Sequence, residues 1–416
     1  MNNLNNGLIP RINVVGEPPQ LTISMTEINN SVWPLFDEND STLDYYLIEF
    51  DKPFALDLYD LALEIPDDVF CKIKDLNDPS YLLLSNTFEA YKVSVPAIYK
   101  YVILKHEIPP EKCILLTGAI DILPHVKSIA KQCNLGEIKV ATIMVFEERV
   151  QNQLTNWINS DVPELNRLPP LDSIYDKKFL CLNREWRIQR PMLVASLLTR
   201  DLLKYGHVSL GKCFGRHGWP QVWDSMLVEI SHNEELSTLL DGNREKIFNL
   251  GCLYLDTDDL VTNRELLEPS IVKYYNETYF SVTTETNYFN QPKMVDYDHP
   301  LVDYDHLMQT EDCIFFSEKI FKPIAHRHPF ILVSTPGSLV ELRKLGYRTF
   351  NPIIDETYDT IEDCAERMLA ILKEIERLSL LSDIEVIDFR KETCDILNHN
   401  QQVLLTKKKF KHILNY

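Results

Sequence analysis

The chain has 416 residues, of which 45% are hydrophobic, 10% aromatic and 25% charged; this composition excludes wholesale disorder and accommodates two domains of about 200 residues. The formal net charge of −20 argues against nucleic acid as the main partner, because phosphate backbones bind positive surfaces. Since the chain has neither a signal-peptide pattern nor a membrane-length apolar run, and its nine cysteines are scattered singly, we expect a soluble, cytoplasmic protein with reduced thiols.

Apolar, β-rich runs alternate with longer segments in the first half of the chain. After an irregular opening, strands are predicted at 44–50, 80–86, 112–118 and 139–146. The segments 87–105 and 120–134 are long enough for crossover helices. This alternation predicts a parallel sheet with helices on both faces, so residues 1–165 are assigned to an N-terminal Rossmann-like domain.

A polar, proline-bearing stretch at 159–173 breaks the pattern and is the predicted interdomain linker. Two strand–helix–strand units follow it. The first has a strand at 177–182, a helix that begins near Pro191, and a strand in HVSLG; the second has a strand at 329–334, a helix at 338–345 and a strand at 347–350. Residues 174–416 are therefore predicted to form a second Rossmann-like domain.

The predicted fold class is α/β, with two doubly wound domains facing a central cleft. A further helix is expected at about 360–378, with Asp359 and Glu362 at capping-box spacing. The last helices can return to the N-terminal domain. The basic run at 407–411 is interpreted as a solvated tail.

Neither G-x-G-x-x-G nor G-x-x-x-x-G-K-[ST] occurs, so a bound phosphate must be met by side chains. Arg184, Arg187 and Arg190 lie within seven residues, between a predicted strand and the start of a helix. Guanidinium groups bind phosphate in bidentate fashion, and a helix N-terminus adds a favourable dipole. The alternative is a set of surface arginines that pair with acids such as Glu185.

A second strand-to-helix junction carries both a carboxylate and an ammonium group. Ser317 is predicted to cap a helix whose first residues are Glu318 and Lys319. A carboxylate at this position can bind both hydroxyls of a ribose, and the lysine can neutralise a diphosphate. The alternative is a capping carboxylate beside an exposed lysine. Pro323 predicts that this helix is short or kinked.

Taken in order, LNREWRIQRPMLVASLL, TTETNYF and FFSEKIFKPIAHRHPFILV resemble the donor-site motifs of GT-B glycosyltransferases related to the α1,3-fucosyltransferases. The pattern is also similar to glycosyltransferase-like proteins of large viruses and phages, and it covers residues 175–400. The resemblance implies an inverting, metal-independent transferase of glycan biosynthesis. Its donor would be a GDP-, UDP- or dTDP-sugar, and its acceptor a glycan or glycoprotein bound on the side of the N-terminal domain.

The resemblance also assigns roles to individual residues. Arg190 and Lys319 would contact the donor diphosphate, Glu318 would hold the ribose, and Glu285, in a motif that also contains Asn287, would lie near the sugar.

Catalysis would consist of positioning the donor, stabilising the leaving nucleoside diphosphate and deprotonating the acceptor hydroxyl. The first candidate for the general base is Glu89 and the second is Asp121, although a carboxylate after a strand is more often a helix cap.

Other interpretations remain open. Asp256 and Asp258 form a D-x-D motif that is typical of metal-dependent glycosyltransferases. His299 and His306, in two Asp-Tyr-Asp-His copies, are possible metal ligands, although a short tandem duplication is the simpler explanation. His326 and His328 are interpreted as packing or polar surface residues. A protein that binds nucleotide or sugar without catalysis would keep the same cleft.

Overall fold

The computed structural model describes the backbone of 44–49 and the residues 67–87, 94–160, 168–184, 187–211, 219–255, 267, 269–289 and 313–407. These residues divide into two compact units. The first contains the described residues up to 145 together with 313–315. The second contains those from 146 to 289 and from 316 to 407. Both units are mixed α/β with parallel strands.

The described part of the first unit contains a parallel sheet with the strand order β1-β2-β3-β4. The strands are β1 (Asp44–Glu49), β2 (Ser80–Asn86), β3 (Cys113–Thr117) and β4 (Lys139–Thr142). The helices are α1 (Asp67–Lys74), α2 (Ser94–Ala97), which continues as a π-helical stretch over Ile98–Leu104, and α3 (Ile122–Cys133). The four strands predicted in this half are confirmed.

The core of the first unit lies around β2 and β3, whose apolar side chains are buried on both faces of the sheet. At the carboxyl end of β3 the chain needs a glycine, because a Cβ on Gly118 would lie 2.5 Å from the ring of Phe315. The segment 313–315 therefore packs directly on this edge of the sheet. The strand predicted at 139–146 ends early because a helix, α4 (Val145–Asn159), begins there.

The described part of the second unit contains the parallel strands β5 (Phe179–Cys181), β6 (Gly206–Val208), β7 (Phe280–Thr284) and β8 (Phe330–Val333). Besides α4, its helices are α5 (Gln189–Thr199), α6 (Trp219–Ile230), α7 (Glu234–Asp241), α8 (Arg244–Phe248), α9 (Val272–Asn276), α10 (Glu318–Ala325), α11 (Ser338–Lys344), α12 (Cys364–Ser379) and α13 (Asp383–Thr406). Helix α10 is as short as Pro323 predicts. Helix α13 packs against α10 and belongs to this unit throughout its length.

The strand order of the second sheet is β6-β5-β7-β8. From β5 the chain moves to β6 on one side and later returns to β7 on the other, so the topology switches between β5 and β7. Gly206 permits the close pairing of β6 with β5, since a Cβ there would lie 2.4 Å from the Phe179 ring. The rings of Phe179 and Phe280 pack across the switch with centroids 5.7 Å apart.

Two local predictions in the second half are wrong. Residues 347–350 form no strand; instead, the amide nitrogen of Arg348 donates to Asn400 Oδ1 (2.7 Å), and Asn400 Nδ2 donates to the Arg348 carbonyl (2.8 Å). A side chain thus occupies the backbone groups that a strand would pair. Asp359 does not cap the helix that follows it, because Asp363 caps α12 through the Glu366 amide.

Within the described ranges, no helix combines the length and the apolar character needed to cross a bilayer.

The Asn400 contact gives a stability prediction. Asn400 is buried, and Asn400→Ala removes both of its hydrogen bonds to the Arg348 backbone, so we expect a loss of about 1–3 kcal/mol in the free energy of unfolding. Urea unfolding measures this loss. Hydrogen exchange of 347–350 should accelerate in the same variant. Asn398→Ala, an exposed position on the same helix, is the matched control, and equal effects at 398 and 400 would contradict the assignment.

Candidate functional site

The candidate site lies at the carboxyl edge of the second unit's sheet, between β5 and β7. From β5 the chain continues to β6 on one side, and from β7 it continues to β8 on the other. Ligands of doubly wound sheets bind outside the carboxyl ends of the strands at such a switch point. Side chains link the two sides here: Gln189 Nε2 donates to the carbonyl oxygens of Glu285 (2.9 Å) and Thr286 (3.0 Å). Thr284 Oγ1 donates to Asn183 Oδ1 at 2.6 Å. The residues after β5 and β7 are therefore held in one arrangement.

Helix α10 begins at the same edge because it connects β7 to β8. Ser317 is its N-cap, as predicted: the side-chain oxygen accepts from the Lys319 amide at 3.3 Å. The fully buried Glu285 reaches this helix from the end of β7. Its carboxylate accepts hydrogen bonds from Ser317 Oγ (2.6 Å) and from the amides of Ser317 and Ile320 (both 3.2 Å). Glu285 thus satisfies helix N–H groups that would otherwise lack partners.

The electrostatics of the two carboxylates differ. Burial raises the pKa of Glu285, although the nearby Lys319 ammonium opposes this shift. Burial also works against ionisation of Glu318, but Lys319 and Lys322 outweigh it and lower the pKa of Glu318 to about 2. Lys319 Nζ lies 3.0 Å from Glu318 Oε1 and 3.1 Å from Ser317 Oγ. At neutral pH, Glu318 is therefore an acceptor of hydrogen bonds and not a proton donor.

The three predicted arginines occupy different environments before and within α5. Arg184 is exposed, Arg187 is partly buried, and Arg190 is buried in the first turn of the helix. The Arg190 amide donates to the Arg187 carbonyl at 2.9 Å. At the end of β5, burial raises the pKa of the Cys181 thiol, and the hydrogen bond with Asn183 and the charge of Arg190 partly offset this shift.

The structure thus places five of the predicted residues at one edge of one sheet: Arg190, Glu285, Asn287, Glu318 and Lys319. Asn287 is buried three residues after the end of β7. Within this group, the sugar-side assignment of Glu285 stays a prediction, and its carboxylate is already engaged with the start of α10.

The predicted catalytic carboxylates belong to the other half of the chain. Glu89 lies outside the described residues. Asp121, in the first unit, follows β3 and accepts a hydrogen bond from the Ile314 amide through Oδ1 at 2.7 Å. The Ile120 amide donates to the Ile314 carbonyl at 2.9 Å. Asp121 therefore anchors the segment 313–315 to the carboxyl edge of the first sheet.

The alternative metal ligands Asp256, Asp258, His299 and His306 also lie outside the described residues. Within the described ranges, no group of three or more His, Cys, Asp or Glu side chains is arranged to hold a metal ion. His328 is buried, and its ring nitrogens lie 2.8 Å from Ser281 Oγ and 3.0 Å from the Thr278 carbonyl oxygen.

Sequence reasoning missed two features of the edge. Gln189 carried no motif, although its position at the start of the helix after β5 was a usable signal. Asp359 binds the start of α11, where its two carboxylate oxygens accept from the Leu339 amide at 3.0 and 3.1 Å. The N-termini of both α10 and α11 are thus bound by buried carboxylates of the protein.

Comparisons with known protein families, with curated proteins and with solved structures found no match.

The lowered pKa of Glu318 predicts a pH dependence of stability. Because the folded pKa of about 2 lies below the ordinary 4.5, ionised Glu318 stabilises the fold above pH 4.5, and this contribution is lost as the pH falls toward 2. Wild type should therefore exceed Glu318→Gln in stability at pH 6, and the difference should shrink by pH 3. Urea unfolding at pH 3, 4, 5 and 6 measures it.

Asp388→Asn is the control for this series, since it removes an exposed carboxylate that pairs with exposed Lys391 at 3.1 Å. Exposed pairs contribute little, so this variant should follow wild type at every pH. A wild-type advantage over Glu318→Gln that stayed constant from pH 6 to pH 3 would contradict the assigned charge state.

Proposed function

We propose that the chain is a glycosyltransferase of the GT-B type that moves a sugar from a nucleoside-diphosphate sugar to an acceptor hydroxyl. The observation that carries the proposal is the convergence of Arg190, Glu318 and Lys319 on the switch point of the second sheet. This is the position where doubly wound folds bind nucleotides. The order of these residues along the chain also matches the donor-site motifs that the sequence resembles.

The binding of a diphosphate at this edge would depend on side chains. Because α10 and α11 already bind Glu285 and Asp359 at their N-termini, these two helices do not offer free amides as a phosphate cradle. Among the described residues of the switch point, Arg187 and Arg190 at the start of α5 add to the positive charge of Lys319. Arginine suits this role because its planar donors match phosphate oxygens.

Glu318 and Lys319 would act together on the nucleotide. In the structure they pair with each other at 3.0 Å. When a ribose offers two hydroxyl donors to the Glu318 carboxylate, the Lys319 ammonium becomes available to the diphosphate. The ion pair thus holds both groups in place before the donor arrives, which reduces the reorganisation that binding requires.

The transfer itself would need a base for the acceptor and positive charge for the leaving group. Arg190 and Lys319 would stabilise the departing nucleoside diphosphate, without the metal ion that D-x-D enzymes use for the same purpose. Glu89 and Asp121 stay the candidate bases. Inversion at the sugar carbon and a glycan or glycoprotein acceptor follow from the resemblance alone and belong to the proposal.

Donor binding is the first test. We expect one of GDP, UDP and dTDP to raise the melting temperature of the protein with EDTA present, because a ligand that binds only the folded state stabilises it. Lys319→Gln should weaken the binding of that nucleotide about 10-fold or more, because the loss of a charged phosphate contact costs at least ~1.4 kcal/mol. Titration calorimetry with wild type and variant measures the ratio.

Lys344→Gln is the matched control, because this lysine lies at the end of α11 and pairs on the surface with Glu341 at 2.6 Å. It should bind the nucleotide as wild type does. The donor-site proposal fails if no nucleoside diphosphate stabilises the protein, or if both lysine variants bind equally. Stabilisation that EDTA abolishes would favour the metal-dependent alternative at Asp256 and Asp258.

Turnover separates an enzyme from a non-catalytic binding protein. We expect slow release of the free nucleoside diphosphate from the matching nucleotide sugar, faster with a glycan acceptor. Mass spectrometry of the products measures it. Glu89→Gln should lower the rate at least ~100-fold with donor affinity kept, since general bases contribute typically 10²–10⁴-fold. Tight donor binding without any turnover would instead identify a sugar-nucleotide binding protein.

A further inference from the structure

A cavity of about 190 Å³ lies at the opposite, amino edge of the second unit's sheet. Its walls come from residues that directly precede strands, including Tyr279 before β7 and Pro329 before β8. The other walls come from α9, from α13, from Tyr175 and from the segment 168–171. None of the residues proposed to bind the donor lines it. The cavity is therefore separate from the site at the carboxyl edge.

The size and walls of the cavity suit one flat ring. A cavity of about 150 Å³ lined by apolar side chains is enough to hold benzene. Here the rings of Tyr275 and His326 stack in parallel with centroids 4.0 Å apart, and Tyr175 and Tyr279 contact each other edge to face at 5.7 Å. Aromatic walls of this kind favour offset or edge contacts with a bound ring.

The charge of the cavity is unusual for this protein. The chain carries 62 acidic residues, yet the lining contains Arg327 and Arg390 and no Asp or Glu. Arg390 donates to the carbonyl oxygens of Pro169, Pro170 and Leu171 and lies 5.3 Å from the Tyr175 ring centroid. Within the described ranges it forms no ion pair with a carboxylate. Its positive charge is therefore not neutralised at the cavity.

One histidine of the cavity, His326, offers an uncharged polar atom. Burial is the main cause that lowers the pKa of His326 to about 3, with further contributions from His328 and Lys322, so the ring is uncharged at neutral pH. Its Nε2 is buried and, within the described part of the chain, has no hydrogen-bond partner. A buried polar atom of this kind gains free energy when a ligand supplies the missing hydrogen bond.

We propose that this cavity binds a small monocyclic carboxylate, with the ring among the tyrosines and the carboxylate beside Arg390. The apolar walls provide affinity for the ring, and the cationic rim selects the anion over a neutral molecule of the same shape. The inference does not depend on the proposed transferase activity, because no residue is shared between the two sites.

The probe is benzoate, compared with benzyl alcohol, which has nearly the same shape without the charge. Calorimetry on the full chain should show benzoate binding about 10-fold or more tighter than benzyl alcohol, the ratio that one desolvated ion pair gives. Arg390→Gln should remove this preference. Lys391→Gln, which removes a neighbouring exposed lysine outside the lining, should keep it.

Two further measurements keep the test independent of folding defects in the Arg390 variant. Cys394 lines the cavity, so saturating benzoate should slow its alkylation at least ~5-fold while exposed Cys71 reacts as before, as followed by peptide mass spectrometry. Cys394→Phe should fill the cavity and abolish binding. The proposal is overturned if benzoate does not bind, if benzyl alcohol binds equally well, or if Cys394 is not protected.

Discussion

The second unit depends on one buried carboxylate. Glu285 is fully buried, yet it accepts hydrogen bonds from the backbone and side chain at the start of α10, and its own carbonyl accepts from Gln189 at the start of α5. A buried polar group is tolerated only when its hydrogen-bonding capacity is met in this way. The single residue after β7 therefore fixes two helices relative to the sheet. The positions of Arg190, Glu318 and Lys319 follow from that constraint.

The same constraint decides which chemistry the carboxyl edge can perform. Carboxyl groups of the protein already accept hydrogen bonds from amides at the N-termini of α10 and α11. An anionic ligand must then be met by arginine and lysine side chains, which agrees with the absence of glycine-rich phosphate motifs from the sequence. At the amino edge there are no acidic side chains beside the cationic ones: two arginines line a cavity whose lining contains no Asp or Glu. One parallel sheet thus presents two chemically different ends.

Much of this architecture could be predicted from local sequence. Apolar runs located all four strands of the first unit, and β5, β6 and β8 were predicted as parts of two strand–helix–strand units. The strand predicted at 347–350 was wrong because a side chain from α13, 52 residues away, binds that backbone. Asp359 was misassigned for a related reason: capping-box spacing occurs at both Asp359 and Asp363, and only tertiary contacts distinguish them. Contacts between distant segments leave no local signature.

The candidate site shows the same difference between contacts that are local in sequence and contacts between distant segments. Ser317 was predictable as an N-cap because its partner lies two residues away, whereas the partner of Glu285 lies 32 residues away. Asp121 is a parallel case, since its carboxylate binds the Ile314 amide 193 residues later. Both carboxyl groups follow a strand: Glu285 fixes the start of α10, and Asp121 fixes the segment 313–315 within the first unit. A substitution at Glu285 would therefore displace the start of α10 as well as remove a carboxyl group. The role of such a carboxylate can be judged only against a variant that keeps the hydrogen bonds to Ile314 or Ser317.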